Sequence, residues 1–272
     1  MNSVELLKKI WRPIYRNRRP IKRLIRKWKV SKVKQFALEA EQTQRFADLG
    51  LDWQLARSEV EKMLGKNLDL SSHRSEHYEL MMAFSKKFQP KKILEIGTAE
   101  GDFTVFLARV FPEAEIETID LSQTDERFWN ATVSRDGTSG LSVTNSDIAA
   151  RDKKLDLHEN IRFREANSIS LTFQESKKYD LIWVDGDHTY PIVSIDIANA
   201  LRLLNANGVL GLDDIYMTPQ VNYEWVGQES FETLDCFKKS GLVDLKFVLK
   251  KLFPEKNFDK KSQKFIAVAR RV

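Results

Sequence analysis

A chain of 272 residues, 42% of them hydrophobic, can bury one sizeable core and carry an appendage. Cys236 is the only cysteine, which excludes an intrachain disulfide and a thiolate metal cluster; no apolar run approaches the roughly 18 residues of a membrane-spanning helix. The net charge of +5 is uneven, because residues 1–35 hold 13 Lys or Arg against Glu5 alone, a segment of +12 that leaves −7 for the rest.

The basic arm intersperses Leu7, Ile10, Trp11 and Ile14, then Ile21, Leu24, Ile25 and Trp28, at helical spacings interrupted by Pro13 and Pro20. Basic amphipathic pieces with tryptophans suit an anionic membrane surface, so residues 1–34 are expected to make peripheral contact with one. A solvated tail and a helix packed on a second copy of the chain are the alternatives. Nucleic acid is disfavoured for want of a recognised binding module. Val4–Leu7 is too short for a secretory signal core, and a reducing cytoplasmic compartment, peripheral at the inner membrane face, is expected.

Residues 36–89 read as helical, with a break around Gly65–Ser72 and a cap at Ser71-Ser72-His73-Arg74. After Pro90 strands and helices alternate. Strands are predicted at Lys92–Ile96, Glu115–Ile119, Ile161–Glu165, Leu181–Val184, Val209–Leu212, Leu245–Leu249 and Lys264–Ala269. Helices are predicted at Asp102–Val110, Val193–Leu204 (closed by Asn207-Gly208) and Ser230–Ser240. This alternation argues an α/β fold with a parallel sheet covered on both faces. The expected divisions are an arm (1–35), a helical region (36–89) and an α/β domain (90–272). The stretch from Ser122 to Asn160 is long for a crossover and reads as a lid carrying Phe128 and Trp129, or as an irregular loop.

The turn after the first strand reads Leu94-Glu95-Ile96-Gly97-Thr98-Ala99-Glu100-Gly101. Glycines between a buried strand and a helix let the backbone approach a ligand and expose the helix's free amides. The spacing is Glu-x-Gly-x-x-x-Gly, without the middle glycine of the pyrophosphate-binding loop, whose place Ala99 takes. A ligand without phosphate, bringing an amine and a sulfonium, tolerates Glu95 nearby. Asp120 ends the next strand, where a carboxylate can take ribose hydroxyls; that position suits a nicotinamide dinucleotide equally. Asn167 and Ser168 follow the third strand and are candidates for adenine contacts, or plain turn formers.

A second signal follows two later strands: Asp185-Gly186-Asp187-His188 and Asp213-Asp214. Residues beyond the carboxyl ends of parallel strands line the ligand crevice. Carboxylates gathered there repel unless a cation lies between them, and a hard divalent ion such as Mg²⁺ is the expected one. His188 lies close enough to Asp185 to act as a base in the same pocket. Asp187 either orients His188 or binds cofactor. His73, His77 and His158 lack such context and read as surface or core polar residues.

Taken together, these residues resemble the class I S-adenosylmethionine-dependent methyltransferases over roughly Tyr78 to Val272. Within them they look like the metal-dependent small-molecule O-methyltransferases, nearest those acting on sugar hydroxyls in macrolide and aminocoumarin biosynthesis. The resemblance implies a Rossmann-like three-layer sandwich, with a mostly parallel seven-stranded sheet and an antiparallel last strand, here Lys264–Ala269. It implies S-adenosyl-L-methionine as cofactor, for which Glu95, Gly97, Thr98, Gly101, Asp120, Asn167, Ser168 and Asp185 are the candidate contacts. It also implies Mg²⁺ on Asp185, Asp213 and Asp214, His188 as base beside Asp185, and a small-molecule or glycan hydroxyl as acceptor. The rivals are metal-independent transfer, with Asp185 and His188 only shaping the pocket, and a non-catalytic, membrane-associated binding module.

Overall fold

The computed structural model describes residues 34–65, 75–125, 145–173, 177–218, 228–252 and 263–272, without the side chains of 145–147. The basic arm before residue 34, the cap at 71–74, Phe128 and Trp129 lie outside the described residues.

A seven-stranded sheet runs in the order β3-β2-β1-β4-β5-β7-β6. Its strands are β1 (Lys92–Ile96), β2 (Glu115–Asp120), β3 (Ile161–Glu165), β4 (Tyr179–Val184), β5 (Leu204–Tyr216), β6 (Val243–Leu249) and β7 (Lys264–Arg271). The first five pair in parallel; β7 is antiparallel to both β5 and β6. Four of five residues in β1 and five of six in β4 are buried, the mark of central strands covered on both faces. The strand order reverses between β1 and β4. At such a switch point the connections leave in opposite directions and a crevice opens beyond the strand ends.

Helices α1 (34–48), α2 (Trp53–Leu64) and α3 (His77–Ser85) precede the sheet; α4 (Asp102–Val110), α5 (Asn145–Leu155), α6 (Ile192–Leu203) and α7 (Glu229–Lys239) connect its strands, with a 3₁₀ turn at Ser168–Phe173. Gly50, at φ 74°, ends α1, and Asp52 caps α2 by accepting from Leu55 N at 3.0 Å. This break falls inside the stretch expected as continuous helix. Trp53, Ala56 and Val60 recur at three and four residues and join one core with the sheet.

The N-terminal helices also cover the open edge of the sheet. Gln42 on α1 donates to Leu249 O (3.0 Å) and accepts from Leu249 N (2.9 Å), and Arg45 donates to Phe247 O. Both contacts satisfy backbone groups of the edge strand β6 that would otherwise offer a template for pairing. Trp53 donates to Glu76 Oε2 at 2.6 Å, and Glu76 N donates to Lys250 O, tying α2 and the start of α3 to the end of β6.

Two boundaries differ from expectation. Asn207-Gly208 does not close α6; the chain enters β5 at Leu204 and runs to Tyr216. The long segment after β2 contains α5, whose Arg151 packs over the Phe163 ring at 4.1 Å, and whose Lys154 donates to Glu100 O at 2.9 Å. A Cβ on Gly101 would lie 3.0 Å from Leu155, so α5 presses directly on the glycine turn.

Candidate active site

The turn after β1 is shaped by backbone. Gly97 sits at φ 100°, and a Cβ there would come 2.3 Å from the Asp185 carbonyl oxygen, an impossible approach. Gly97 is therefore required because β1 and β4 run together here; Asp185 N donates to Ile96 O at 2.8 Å and Gly97 N to Ile119 O at 2.9 Å. Gly101, at φ 74°, is the N-cap of α4. Asp120 Oδ2 accepts from Thr98 N (3.0 Å) and Ala99 N (2.9 Å), and Oδ1 from Leu121 N. One carboxylate thus holds the turn and still has lone pairs to offer a ligand.

Glu95 is buried at the end of β1, close enough to Asp185 and Asp120 to feel their charges. It is 1% exposed, and its Oε2 accepts from Thr104 Oγ1 and Thr118 Oγ1 (2.6 Å). Burial pushes its carboxyl up to about 8, against the two threonine hydrogen bonds, so at neutral pH it is mostly uncharged. Thr98 Oγ1 meets Thr118 Oγ1 at 2.6 Å in the same buried chain. Glu95 and Thr98, expected at the ligand, are joined through Thr118 in one buried hydrogen-bond chain.

Asn167 and Ser168 arrive next to Asp120, since Ala166 N donates to Asp120 O at 2.8 Å. Asn167 Oδ1 accepts from Ile169 N at 3.0 Å and opens the 3₁₀ turn that begins at Ser168. Asp187 Oδ1 accepts from Thr189 N (2.8 Å) and Thr189 Oγ1 (2.6 Å), which makes it a turn former rather than a partner of His188.

His188 and Asp185 do meet: Nε2 and Oδ1 lie 3.4 Å apart. The imidazole is buried, which alone would lower its pKa. The Asp185 hydrogen bond, with the charges of Asp214, Asp185 and Asp213, outweighs burial and holds it above 6.5. Burial and the nearby Asp213 push the Asp185 carboxyl up, with His188 opposing. Nδ1 of His188 is buried without a hydrogen-bond partner among the described residues.

Asp213 and Asp214 do not simply follow a strand. β5 pairs Leu212 with Ala267 and Ile215 with Phe265, so β5 carries one residue more than β7 across this step. That bulge holds both acids, with Asp214 at φ 52°, a region aspartate tolerates better than most residues. Asp213 is 1% exposed; Lys250 Nζ donates to its Oδ2 at 2.6 Å and also to Asp214 Oδ1. Lys264 Nζ donates to Asp214 Oδ2 at 2.8 Å. The two lysines outweigh burial and hold the Asp214 carboxyl well below its usual range; Asp213 and Asp214 likewise hold Lys250 above its own.

This corrects the expected ligand set. The mutual repulsion of the carboxylates is relieved, but by ammonium groups from the β6–β7 pair, and no His/Cys/Asp/Glu group among the described residues is arranged to hold a metal. A divalent ion entering between Asp213 and Asp214 would meet the Lys250 ammonium. Two unit charges 4 Å apart interact by about 4 kcal/mol at an effective dielectric constant near 20, and a divalent ion roughly doubles that repulsion. Asp185, Asp213 and Asp214 as placed do not fit Mg²⁺.

Sequence reasoning missed Lys250, Lys264 and His77. Lys250 and Lys264 each stand at a strand end, but only the antiparallel β6–β7 pairing beside β5 reveals what they face. His77 Nδ1 lies 4.0 Å from Asp213 Oδ2, and its ring stands edge-on to Phe103 at 4.4 Å between centroids. Phe103 in turn packs on Trp183 at 5.1 Å, and a Cβ on Gly211 would lie 2.5 Å from the Trp183 ring. His77, Phe103 and Trp183 thus form an aromatic wall beside the Asp213 cluster.

Residues 94–215 match the family described as a methyltransferase domain. The chain carries a methyltransferase domain of the class I fold. Solved structures agree on the architecture of this methyltransferase. A putative O-methyltransferase from Klebsiella pneumoniae is 17% identical with a TM-score of 0.53, covering 89% of this chain and 96% of its own. The O-methyltransferase TomG from Streptomyces achromogenes, in complex with SAM, is 15% identical with a TM-score of 0.53, covering 85% and 95%. The SAH-bound methyltransferase PaMTH1 from Podospora anserina is 18% identical with a TM-score of 0.50, covering 81% and 86%. No curated protein sequence matches the chain.

Proposed function

We propose that this methyltransferase moves the methyl group of S-adenosylmethionine to a hydroxyl of a small molecule or glycan. The observation that carries this reading is the gathering of the candidate site residues at the β1/β4 switch point. There the Gly97–Gly101 turn and Asp120 lie on one side and Asp185 and His188 on the other, joined by the Asp185 N to Ile96 O hydrogen bond. The solved structures of this fold with SAM or SAH bound support the choice of donor. When bound, the donor supplies a sulfonium-activated methyl group, which leaves placement and proton removal to the protein. Asp120 has lone pairs for ribose hydroxyls, and the amides that open α4 are available to a carboxylate. With Nε2 of His188 lying 3.4 Å from Asp185 Oδ1, we assign the proton to Nε2 and the lone pair to Nδ1, the atom that would receive the acceptor's proton. The charges of Asp213 and Asp214 are offset by Lys250 and Lys264, so no step is routed through Mg²⁺.

The sugar or glycan class of the acceptor rests on the resemblance of Asp185-Gly186-Asp187-His188 and Asp213-Asp214 to sugar O-methyltransferases. Contact of residues 1–34 with an anionic membrane, which would place the enzyme at the cytoplasmic face, rests on their composition. No helix among the described residues is long and apolar enough to cross a membrane.

Titration calorimetry of the full chain with S-adenosylmethionine tests the donor: one-to-one binding is expected, and no heat at millimolar donor would sink the reading. Transfer of labelled methyl to a panel of sugar-bearing acceptors tests the chemistry, with His188→Ala as the inactive control that still binds donor.

A further inference from the structure

The cation of the acidic cluster is part of the chain. Lys250 Nζ meets Asp213 Oδ2 at 2.6 Å and Asp214 Oδ1, with its side chain only 11% exposed. Its backbone is pinned on both sides: Lys250 N donates to Lys264 O at 3.0 Å, and Lys250 O accepts from Glu76 N at 2.9 Å. It is therefore not a surface lysine that swings in by chance. Lys264 takes the other oxygen of Asp214 at 2.8 Å, so the two bulge carboxylates are matched by two ammonium groups. Asp213 Oδ1 is buried with no hydrogen-bond partner among the described residues, and Lys250 has a third N–H beyond the two it gives these acids.

We propose that Lys250 takes the place a divalent ion would hold among Asp185, Asp213 and Asp214, so that this methyltransferase orients its acceptor with a fixed ammonium group and binds no divalent ion at this cluster. The proposal rests on the methyl-transfer reading only for the word acceptor; the occupancy of the cluster stands apart from it. The charge of Lys250 neutralises Asp213 and Asp214, and its remaining N–H is directed to an acceptor oxygen, where a metal would have used a coordination position.

The test is a Mn²⁺ titration of the full chain followed by the electron paramagnetic resonance signal of the free ion, with Mg²⁺ as competitor. The wild type is expected to leave the free signal unchanged. Lys250→Gln removes the charge and is expected to raise Mn²⁺ affinity on the order of tenfold or more, whereas Lys250→Arg keeps the charge and gains nothing. Stoichiometric, Mg²⁺-competed Mn²⁺ binding by the wild type would overturn the proposal, as would a folded Lys250→Gln chain with no gain. If Lys250→Gln does not fold, the wild type and Lys250→Arg decide the matter between them. Calorimetry with S-adenosylmethionine on the same samples separates the two ideas: failure to bind donor removes the proposed function and leaves the Mn²⁺ result readable.

Discussion

On the donor side of the crevice, Thr98 N and Ala99 N reach Asp120 across 22 and 21 residues, and the shape follows from two glycines and backbone amides. On the opposite side, Asp213 and Asp214 reach Lys250 across 37 and 36 residues and Asp214 reaches Lys264 across 50, through charged side chains alone. The donor side tolerates side-chain changes that leave the backbone path intact, and fails when a Cβ blocks it. The charged side tolerates backbone-neutral changes poorly, because removing Lys250 leaves Asp213 buried without its ammonium partner.

Breaking the charged side should have the largest effect on stability. Lys250→Met is expected to cost about 3–5 kcal/mol in denaturant unfolding, as for other buried ion pairs that lose one member. Lys264→Met should cost clearly less, since Lys250 still holds Asp214 and Lys264 is 22% exposed. Equal losses for the two lysines would remove the distinction between them. Next in size, His188→Ala should lower turnover by roughly 10²–10⁴-fold with donor affinity retained; a matching loss of donor binding would make His188 a pocket-shaping group instead.

The donor side is probed by Gly97→Ala. The added Cβ meets backbone rather than a flexible side chain, so a loss of roughly 1–3 kcal/mol or more is expected, together with loss of donor binding by calorimetry. A variant with wild-type melting and binding would show that β1 and β4 can separate here.

The last effect is one of pH dependence and concerns Glu95. Its carboxyl stands near 8 in the folded chain against an ordinary 4.5, raised by burial. Between those values the unfolded chain releases a proton that the folded chain keeps. Its contribution is therefore full below about pH 4.5, declines as pH rises, and levels off above about pH 8, by up to about 1.4 kcal/mol per pH unit. Glu95→Gln keeps the uncharged form at every pH and should flatten that decline between unfolding curves at pH 5 and 8. An unaltered slope would assign the pH dependence to another group.

The sheet was legible because it is written in local patterns. Apolar runs bounded by turn residues mark β1, β3, β4 and the β6–β7 pair to within two residues at each end. The start of β5 was misplaced because Asn207-Gly208 reads as a stop, whereas here both residues lie within the strand. The helix α5 was overlooked in a polar segment whose helical face is set by contacts with Gly101 and Phe163 rather than by an apolar stripe.

From the residues alone came the alternation of strands and helices, the Gly97–Gly101 turn, Asp120 at the end of β2, and the meeting of His188 with Asp185. All of these follow from short-range geometry: a strand end, a glycine where a side chain cannot fit, and two side chains three residues apart. The tertiary structure decided what neutralises Asp213 and Asp214. The acids and their spacing state that a cation is needed, because adjacent buried carboxylates repel. Which cation it is depends on an antiparallel pair of strands brought beside the bulge in β5, and there two lysines stand where a metal was expected.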